Sequence, residues 1–356
     1  MKIASPTLLV DEETCRANIG KMKSRAQKAK AVLRPHFKTH QSAEIAAWFK
    51  DAGIEQCTVS SVSMAKYFAS HGWKDLSIAF PYNPLEADAV NELAADLNLN
   101  IWIESEESLT EVKSKIKNPI GYFIGIDVGY HRTGIDPRQL DKIARLVGQQ
   151  SENHIFKGFM SHAGHTYGAK GAENIRWLYE GAKKMLLPLR DKFGGIVSFG
   201  DTPSCSIIED LSDYDELRPG NFIFYDWMQH DLASCKVEEI AVCLACPVVA
   251  IHPDRNEVIV QAGAVHLSKD YIEEEAGKTF GKAVRLDSSG WSRQIMGNVV
   301  RLSQEHGTIR LEDPELASVK IGDLLGIIPV HSCLAADLQG HYISTKGEKI
   351  EKLIKS

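Results

Sequence analysis

Hydrophobic runs long enough to cross a bilayer are missing from this sequence, and its start, Met1-Lys2-Ile3-Ala4-Ser5-Pro6, lacks the apolar core of a secretory leader. Membrane and secreted classes are thereby set aside. Cysteine is sparse and odd in number: the seven, at 15, 57, 205, 235, 243, 246 and 333, are too scattered for a disulfide framework. A cytoplasmic protein with reduced thiols is the expectation. Charge of one sign is not concentrated anywhere. The 41 basic and 47 acidic residues are interspersed and leave a net of −6, which gives no footprint for nucleic acid. Internal repeats and low-complexity tracts are absent as well. One Cys-x-x-Cys occurs, Cys243 and Cys246, inside the apolar run 240–249. With no second pair nearby, these two read as buried strand residues rather than a zinc or redox pair.

What is present is an alternation. Short apolar or β-branched runs at 31–37, 57–62, 75–80, 100–104, 121–128, 157–162, 196–200 and 222–226 predict eight strands. Between them, 41–52, 63–72, 86–96, 106–115, 137–150 and 171–192 are rich in Ala, Leu, Lys and Glu and read as helices. Eight strands with crossover helices are the rhythm of a (β/α)₈ TIM-like barrel, an α/β fold. A doubly wound sheet is the alternative, but no Gly-x-Gly-x-x-Gly follows the first strand. Beyond residue 236 the pattern changes. Strand-like runs at 240–251, 257–266, 281–286, 295–303, 308–312 and 324–331 are split by turn signals at 253–256, 288–290 and 305–307, and no long helical pattern returns before the charged tail 347–356. A barrel over 1–236 and a mostly β domain over 237–356 is the predicted organisation.

Chemistry in such a barrel collects at the C-terminal ends of its strands. Lys38 stands there, after the first run, between His36 and His40. A lysine held among apolar walls loses solvation, its pKa falls, and it can form a Schiff base with an aldehyde. On its own it is more simply a solvated surface residue. Four more polar clusters fall on the same rim: 127–134 with Arg132, 161–168 with His165 and Tyr167, 200–206, and 218–221 leading into the run that ends at Tyr225-Asp226. Each alone is compatible with a turn. Gly200, Thr202, Ser204, Gly220 and Asn221 have the small side chains, hydroxyls and helix start that hold phosphate after strands seven and eight. Residues 201–204 could merely cap the following helix, but two adjacent loops carry this chemistry together, which favours phosphate binding. Trp48, Trp73 and Trp102 read as core, and Glu273-Glu274-Glu275 as a solvated face.

Arg34-Pro35-His36-Phe37-Lys38-Thr39-His40, Ser161-His162-Ala163-Gly164-His165-Thr166-Tyr167, Gly200-Asp201-Thr202-Pro203-Ser204 and His331-Ser332-Cys333 resemble, in order and spacing, the signatures of the D-serine dehydratase and D-threonine aldolase group. That group belongs to the alanine-racemase-like, fold type III, pyridoxal phosphate enzymes. The resemblance covers nearly the whole chain and implies that the first few residues join the β domain. It makes Lys38 the Schiff-base lysine and the base at Cα. It also puts Tyr167 at the pyridine nitrogen, Arg132 near the phenolic oxygen, Gly200, Thr202, Gly220 and Asn221 at the phosphate, and His165 near the reacting carbon or the substrate hydroxyl. A dimer is implied too.

His331 and Cys333 close an apolar run and, two apart in an extended strand, would point to one face. An imidazole beside a thiolate suits zinc, with manganese or magnesium as alternatives. From spacing alone, a buried cysteine beside a surface histidine explains the pair better; with the resemblance, metal binding is favoured. Related aldolases would carry a harder oxygen ligand in the second position, so Cys333 points towards dehydration. The expected activity is a pyridoxal phosphate- and divalent-metal-dependent lyase on D-3-hydroxy amino acids. Retro-aldol cleavage, a metal-independent racemase and a non-catalytic pyridoxal carrier are the alternatives.

Overall fold

Parallel strands buried on both faces become unbroken apolar runs, and Ile120–Gly125 is the extreme, with all six residues buried. The computed structural model describes residues 3–288 and 290–354, which form two compact units. One holds 20–38 and 46–220; the other holds the chain through Ile19, Thr39–Ile45 and the chain from Asn221 onward.

After β1 (Thr7–Val10) and α1 (Glu12–Lys28), the first unit contributes eight parallel strands: β2 (Val32–Leu33), β3 (Gln56–Val59), β4 (Asp75–Pro81), β5 (Asn98–Ile103), β6 (Ile120–Gly125), β7 (His154–Ser161), β8 (Ile196–Phe199) and β9 (Glu216–Leu217). Their order is β2-β9-β8-β7-β6-β5-β4-β3. Past β2, Phe37 N–H donates to Thr58 O and Thr58 N–H to Pro35 O, both at 2.9 Å, so the sheet nearly closes on itself. The crossovers are α2 (Ala43–Asp51), α3 (Val62–Ser70), α4 (Ala87–Asp96), α5 (Glu106–Lys115), α6 (Leu140–Gly148), α7 (Gly171–Phe193) and the short α8 (Thr202–Ile207). Ser61 and Ser105 cap α3 and α5, each accepting a backbone N–H from three residues on.

Two packing features fix the rim. Phe37 is fully buried, with its ring 5.1, 4.9 and 4.7 Å from those of Phe49, Phe68 and Trp73. That anchor fixes the backbone from which the next residue, Lys38, departs. Lower in the sheet, Arg34 bridges Glu216 and Asp75, each at 2.5 Å. Ser198 Oγ donates to Glu216 (2.6 Å) and accepts from Arg218 Nε (2.6 Å), which extends this layer across four strands.

In the second unit, β10 (Val242–His252), β11 (Glu257–Gln261), β14 (Gly281–Asp287), β15 (Gly290–Leu302), β16 (His306–Leu311), β17 (Leu324–Pro329), β18 (His341–Ser344) and β19 (Lys349–Glu351) join β1 in one sheet. Its order is β11-β16-β15-β14-β17-β10-β1-β18-β19, and β10 also pairs with β11, closing six of the strands into a ring. A hairpin of β12 (Ile272–Glu274) and β13 (Gly277–Thr279) stands apart, and three short helices, α9 (Trp227–Asp231), α10 (Ala264–Leu267) and α11 (Ser332–Asp337), complete the unit. Trp48, Trp73 and Trp102 are core, and Cys243 and Cys246 are fully buried in β10, as expected.

Five sequence expectations are corrected. The eighth strand is Glu216–Leu217, not 222–226, where Asn221–Ile223 is a 3₁₀ turn and Tyr225 is left-handed (φ 47°). A short buried aromatic run cannot be told from a strand by periodicity. Arg218, Gly220 and Asn221 therefore follow the last strand, where functional groups belong, rather than precede it. The helix α1 was missed, having few apolar residues to mark its face. Within 257–266 the strand stops at Gln261, and Ala264–Leu267 is helical. The tail forms β19 at Lys349–Glu351 instead of a helix. Glu274 is no solvated residue: it accepts from Lys282 Nζ (2.5 Å) and Trp227 Nε1 (3.0 Å). In the turn at 288–290, Ser289 lies outside the described residues.

Candidate active site

In the first unit, Lys38 is half-buried, and its backbone N–H donates to His36 Nδ1 (3.3 Å). Facing it electrostatically is His162. The His162 Nδ1–H donates to Gly200 O at 2.7 Å, which leaves Nε2 carrying the lone pair. Burial pulls this imidazole down to about 3, and the positive charges of Lys38, Arg132 and Arg218 push the same way. His162 is therefore neutral at any working pH and adds no charge beside the amine. Sequence reading passed over it because two histidines share the cluster 161–168. Only the bond to Gly200 separates their roles.

Around His162 lie Tyr130 and Tyr167, with ring centroids 6.0 and 6.4 Å away. The Arg132 guanidinium is exposed and lies 5.0 Å over the Tyr130 ring. His165 is 6.1 Å from the same ring; burial lowers its pKa, and its Nδ1 is buried with no hydrogen-bond partner. A Cβ at Gly164 would come within 2.4 Å of the Tyr130 ring, so a larger residue here would displace that partly exposed ring.

The phosphate-type loop has both a structural and a chemical character. Asp201 caps α8, its Oδ1 accepting from Ser204 N–H (2.7 Å) and Thr166 Oγ1 (2.9 Å). Gly200 must be glycine, because a Cβ would sit 2.7 Å from the Arg218 backbone. Thr202 is fully buried, yet its Oγ1 has no partner. At the first turn of α8, this hydroxyl is available to donate to an acceptor-bearing ligand. Gly220 is buried in the stretch that follows β9.

In the second unit, His331 and Cys333 lie together, though not as the strand pleat anticipated. β17 stops at Pro329, His331 is the last extended residue (φ −127°, ψ 103°), and Cys333 is the second residue of α11. Burial acts to lower the His331 pKa. The hydrogen bond and charge of Cys333, with Asp226 and Asp270, outweigh it and raise it to about 9. The Cys333 sulfur also meets Thr39 Oγ1 at 3.3 Å and Asn221 Nδ2 at 3.5 Å. Asn221 thus spends its amide donors on Asp226, Ser332 and Cys333. Among the described residues no three histidines, cysteines or carboxylates converge as a metal-holding group. A two-ligand imidazole–thiolate set suits a catalytic cation with open positions, and not a closed structural zinc.

Comparison with known proteins agrees with this architecture. The profile of the alanine racemase N-terminal domain matches residues 10–226, and that of a serine dehydratase domain matches 241–345. D-serine dehydratase of Dictyostelium discoideum is 33% identical, over 95% of this chain and 92% of its own. D-threo-3-hydroxyaspartate dehydratase of a Delftia strain is 25% identical over 94% and 92%. The solved alanine racemase-like protein of Idiomarina loihiensis superposes with a TM-score of 0.90 at 25% identity, covering 99% and 98%. This chain belongs to the D-serine dehydratase and D-threonine aldolase family of alanine-racemase-like, fold type III enzymes.

Proposed function

We propose that this enzyme is a pyridoxal phosphate- and divalent-cation-dependent lyase that dehydrates D-3-hydroxy amino acids of the D-serine type, with zinc as the cation. The barrel (1–236) would bind the cofactor and the β domain (237–356) the cation, in a cytoplasmic homodimer. The observation that carries the reading is the imidazole–thiolate pair of His331 and Cys333. Thr39, the residue directly after Lys38, hydrogen-bonds that thiol. A thiolate is a soft ligand, which favours zinc over magnesium or manganese.

When bound, the cofactor supplies an electrophilic aldehyde and an electron sink, and the cation supplies Lewis-acid pull on the substrate β-hydroxyl. Lys38 Nζ would hold the cofactor and would serve as the base for the Cα proton. His162, neutral and pinned to Gly200, adds no positive charge of its own beside that amine. The unpartnered Thr202 hydroxyl, with Gly200 and Gly220, receives the phosphate, and Asn221 supports the thiolate side. Tyr167 orients the pyridine ring without the carboxylate that would keep its nitrogen protonated. Arg132 would serve the phenolic oxygen, and His165 the reacting carbon or the substrate hydroxyl. With a weak electron sink, departure of hydroxide depends on the cation's ligands.

Purified protein incubated with D-serine, D-threonine and D-3-hydroxyaspartate, with and without chelator, tests this. Keto acid and ammonia from D-serine, lost on chelation, are expected. Glycine plus aldehyde would replace dehydration by retro-aldol cleavage, and chelator-resistant turnover would favour a racemase. Borohydride reduction should leave a cofactor mass adduct on Lys38; its absence would end the cofactor reading.

A further inference from the structure

The cation ligands lie at a strand-to-helix turn, where two side chains flanking one residue have no intrinsic reason to converge. What fixes them is a carboxylate. Asp226 is fully buried, and its Oδ2 accepts from Ser332 N–H (2.8 Å) and Ser332 Oγ (3.1 Å). The residue between His331 and Cys333 is therefore clamped at both its backbone and its side chain. The same oxygen accepts from Asn221 Nδ2 at 2.6 Å, and that amide also reaches Ser332 Oγ (3.0 Å) and the Cys333 sulfur (3.5 Å). Asp226 Oδ1 caps α9 through Gln229 N–H (2.9 Å), and Met228 N–H of that helix donates to Val330 O at 3.1 Å. Asp226 itself follows the left-handed Tyr225, a conformation costly for a tyrosine, so the turn that delivers it is under constraint. The sequence placed Tyr225-Asp226 at a strand end and assigned the acid no task.

We propose that Asp226 is a positioning residue for the cation: through Ser332 it sets the spread of His331 and Cys333, and through Asn221 it aims an N–H at the sulfur. A ligand supported in this way loses affinity when its support goes, typically by about 10- to 100-fold. The inference rests on reading His331 and Cys333 as the cation's ligands, and the test separates the two.

Full-length protein, loaded with cofactor and stripped with chelator, is titrated with cadmium while the ultraviolet thiolate-to-cadmium charge-transfer band is followed. The wild type should bind one equivalent with that band. Asp226→Asn keeps the shape and removes the charge; it should raise Kd by about 10- to 100-fold with a weakened band, while the visible absorbance of the lysine-bound cofactor stays unchanged. Asp226→Asn binding within about twofold of wild type would overturn the positioning role with the ligand reading intact. A wild type with no band would overturn the ligand reading, and this inference with it. Ser332→Ala keeps the backbone clamp and loses the hydroxyl, so its Kd should rise by about three- to tenfold. An unchanged Kd in that variant would count against the clamp even if Asp226→Asn failed to fold.

Discussion

The two units prepare for ligands in opposite ways. In the barrel, the rim leaves buried polar atoms without partners, Thr202 Oγ1 and His165 Nδ1 among them, and its histidine is neutral. In the β unit, the groups beside Cys333 are tied to one another through the four donors that converge on Asp226. On the proposed function, the first arrangement would be a receptacle completed by what it binds. The second would be a ligand set fixed beforehand through Asp226, although Asn221 Oδ1 and the Gln229 amide beside it are also buried without partners. A small cation offers little area with which to organise its ligands, so the protein must organise them in advance. A cofactor with a phosphate and a ring offers many contacts and can complete its own cradle.

The largest effect should come from separating the two halves chemically. Lys38→Ala should lower turnover by at least about a thousandfold and abolish the borohydride adduct, with cadmium binding unchanged. Cys333→Ala should abolish elimination with the lysine-bound visible absorbance intact. If either variant loses both readouts, the halves do not act separately and the contrast fails.

Next in size is the contrast between ion pairs. Arg34 and Glu216 are nearly inaccessible, whereas Glu274, which pairs with Lys282 in the β unit, is a quarter exposed. Glu216→Gln leaves the buried Arg34 guanidinium with Asp75 alone and should cost about 3 kcal/mol; Glu274→Gln should cost about 1 kcal/mol or less. Urea midpoints of the two variants measure this directly.

Asp201 carries a pH signature in the acid range. Burial raises its pKa from 3.8 to about 6, against the opposing bonds from Ser204 and Thr166. Between these values the folded chain holds a proton that the unfolded chain has lost. Its contribution to stability therefore falls as pH rises from 4 to 6, by about 3 kcal/mol, and is fully lost above that. Asn at this position keeps an oxygen for Ser204 N–H and Thr166. Unfolding of wild type and Asp201→Asn should diverge across that window, the wild type becoming relatively weaker towards pH 6; parallel curves would mean that the carboxyl is not protonated in the fold.

Legibility in the sequence follows the same division. Seven of the eight barrel strands, six of the seven crossover helices and the Lys38 rim could be read because apolar runs and helical patterns are local. The eighth strand was misplaced because Glu216–Leu217 is only two residues long, and a buried aromatic run beside it mimics a strand. His331 and Cys333 could be named, but their reason for meeting could not: it lies in Asp226, more than a hundred residues away. Asn221 was read with the phosphate loop it adjoins in sequence, whereas its amide turns towards the thiol. Side chains that act through long-range hydrogen bonds leave no periodic trace.

The smallest effect is the most discriminating. Thr166 and Thr202 are both fully buried threonines in adjacent rim segments of the barrel unit. Thr166 Oγ1 donates within reach of Ala163 O (2.8 Å) and Asp201 Oδ1 (2.9 Å), while Thr202 Oγ1 has no partner. Replacing a partnered hydroxyl by a methyl of the same shape loses bonds and leaves acceptors bare, so Thr166→Val should cost about 1–3 kcal/mol with cofactor affinity little changed. Replacing an unpartnered one removes a desolvation penalty. Thr202→Val should therefore leave the cofactor-free protein as stable as before, or up to about 1 kcal/mol more so, and weaken cofactor binding by about tenfold. Thermal unfolding of the stripped protein and cofactor titration give both values for each variant. If Thr202→Val destabilises as Thr166→Val does and binds cofactor normally, the hydroxyl belongs to the scaffold, and the barrel rim is no more a receptacle than the β unit.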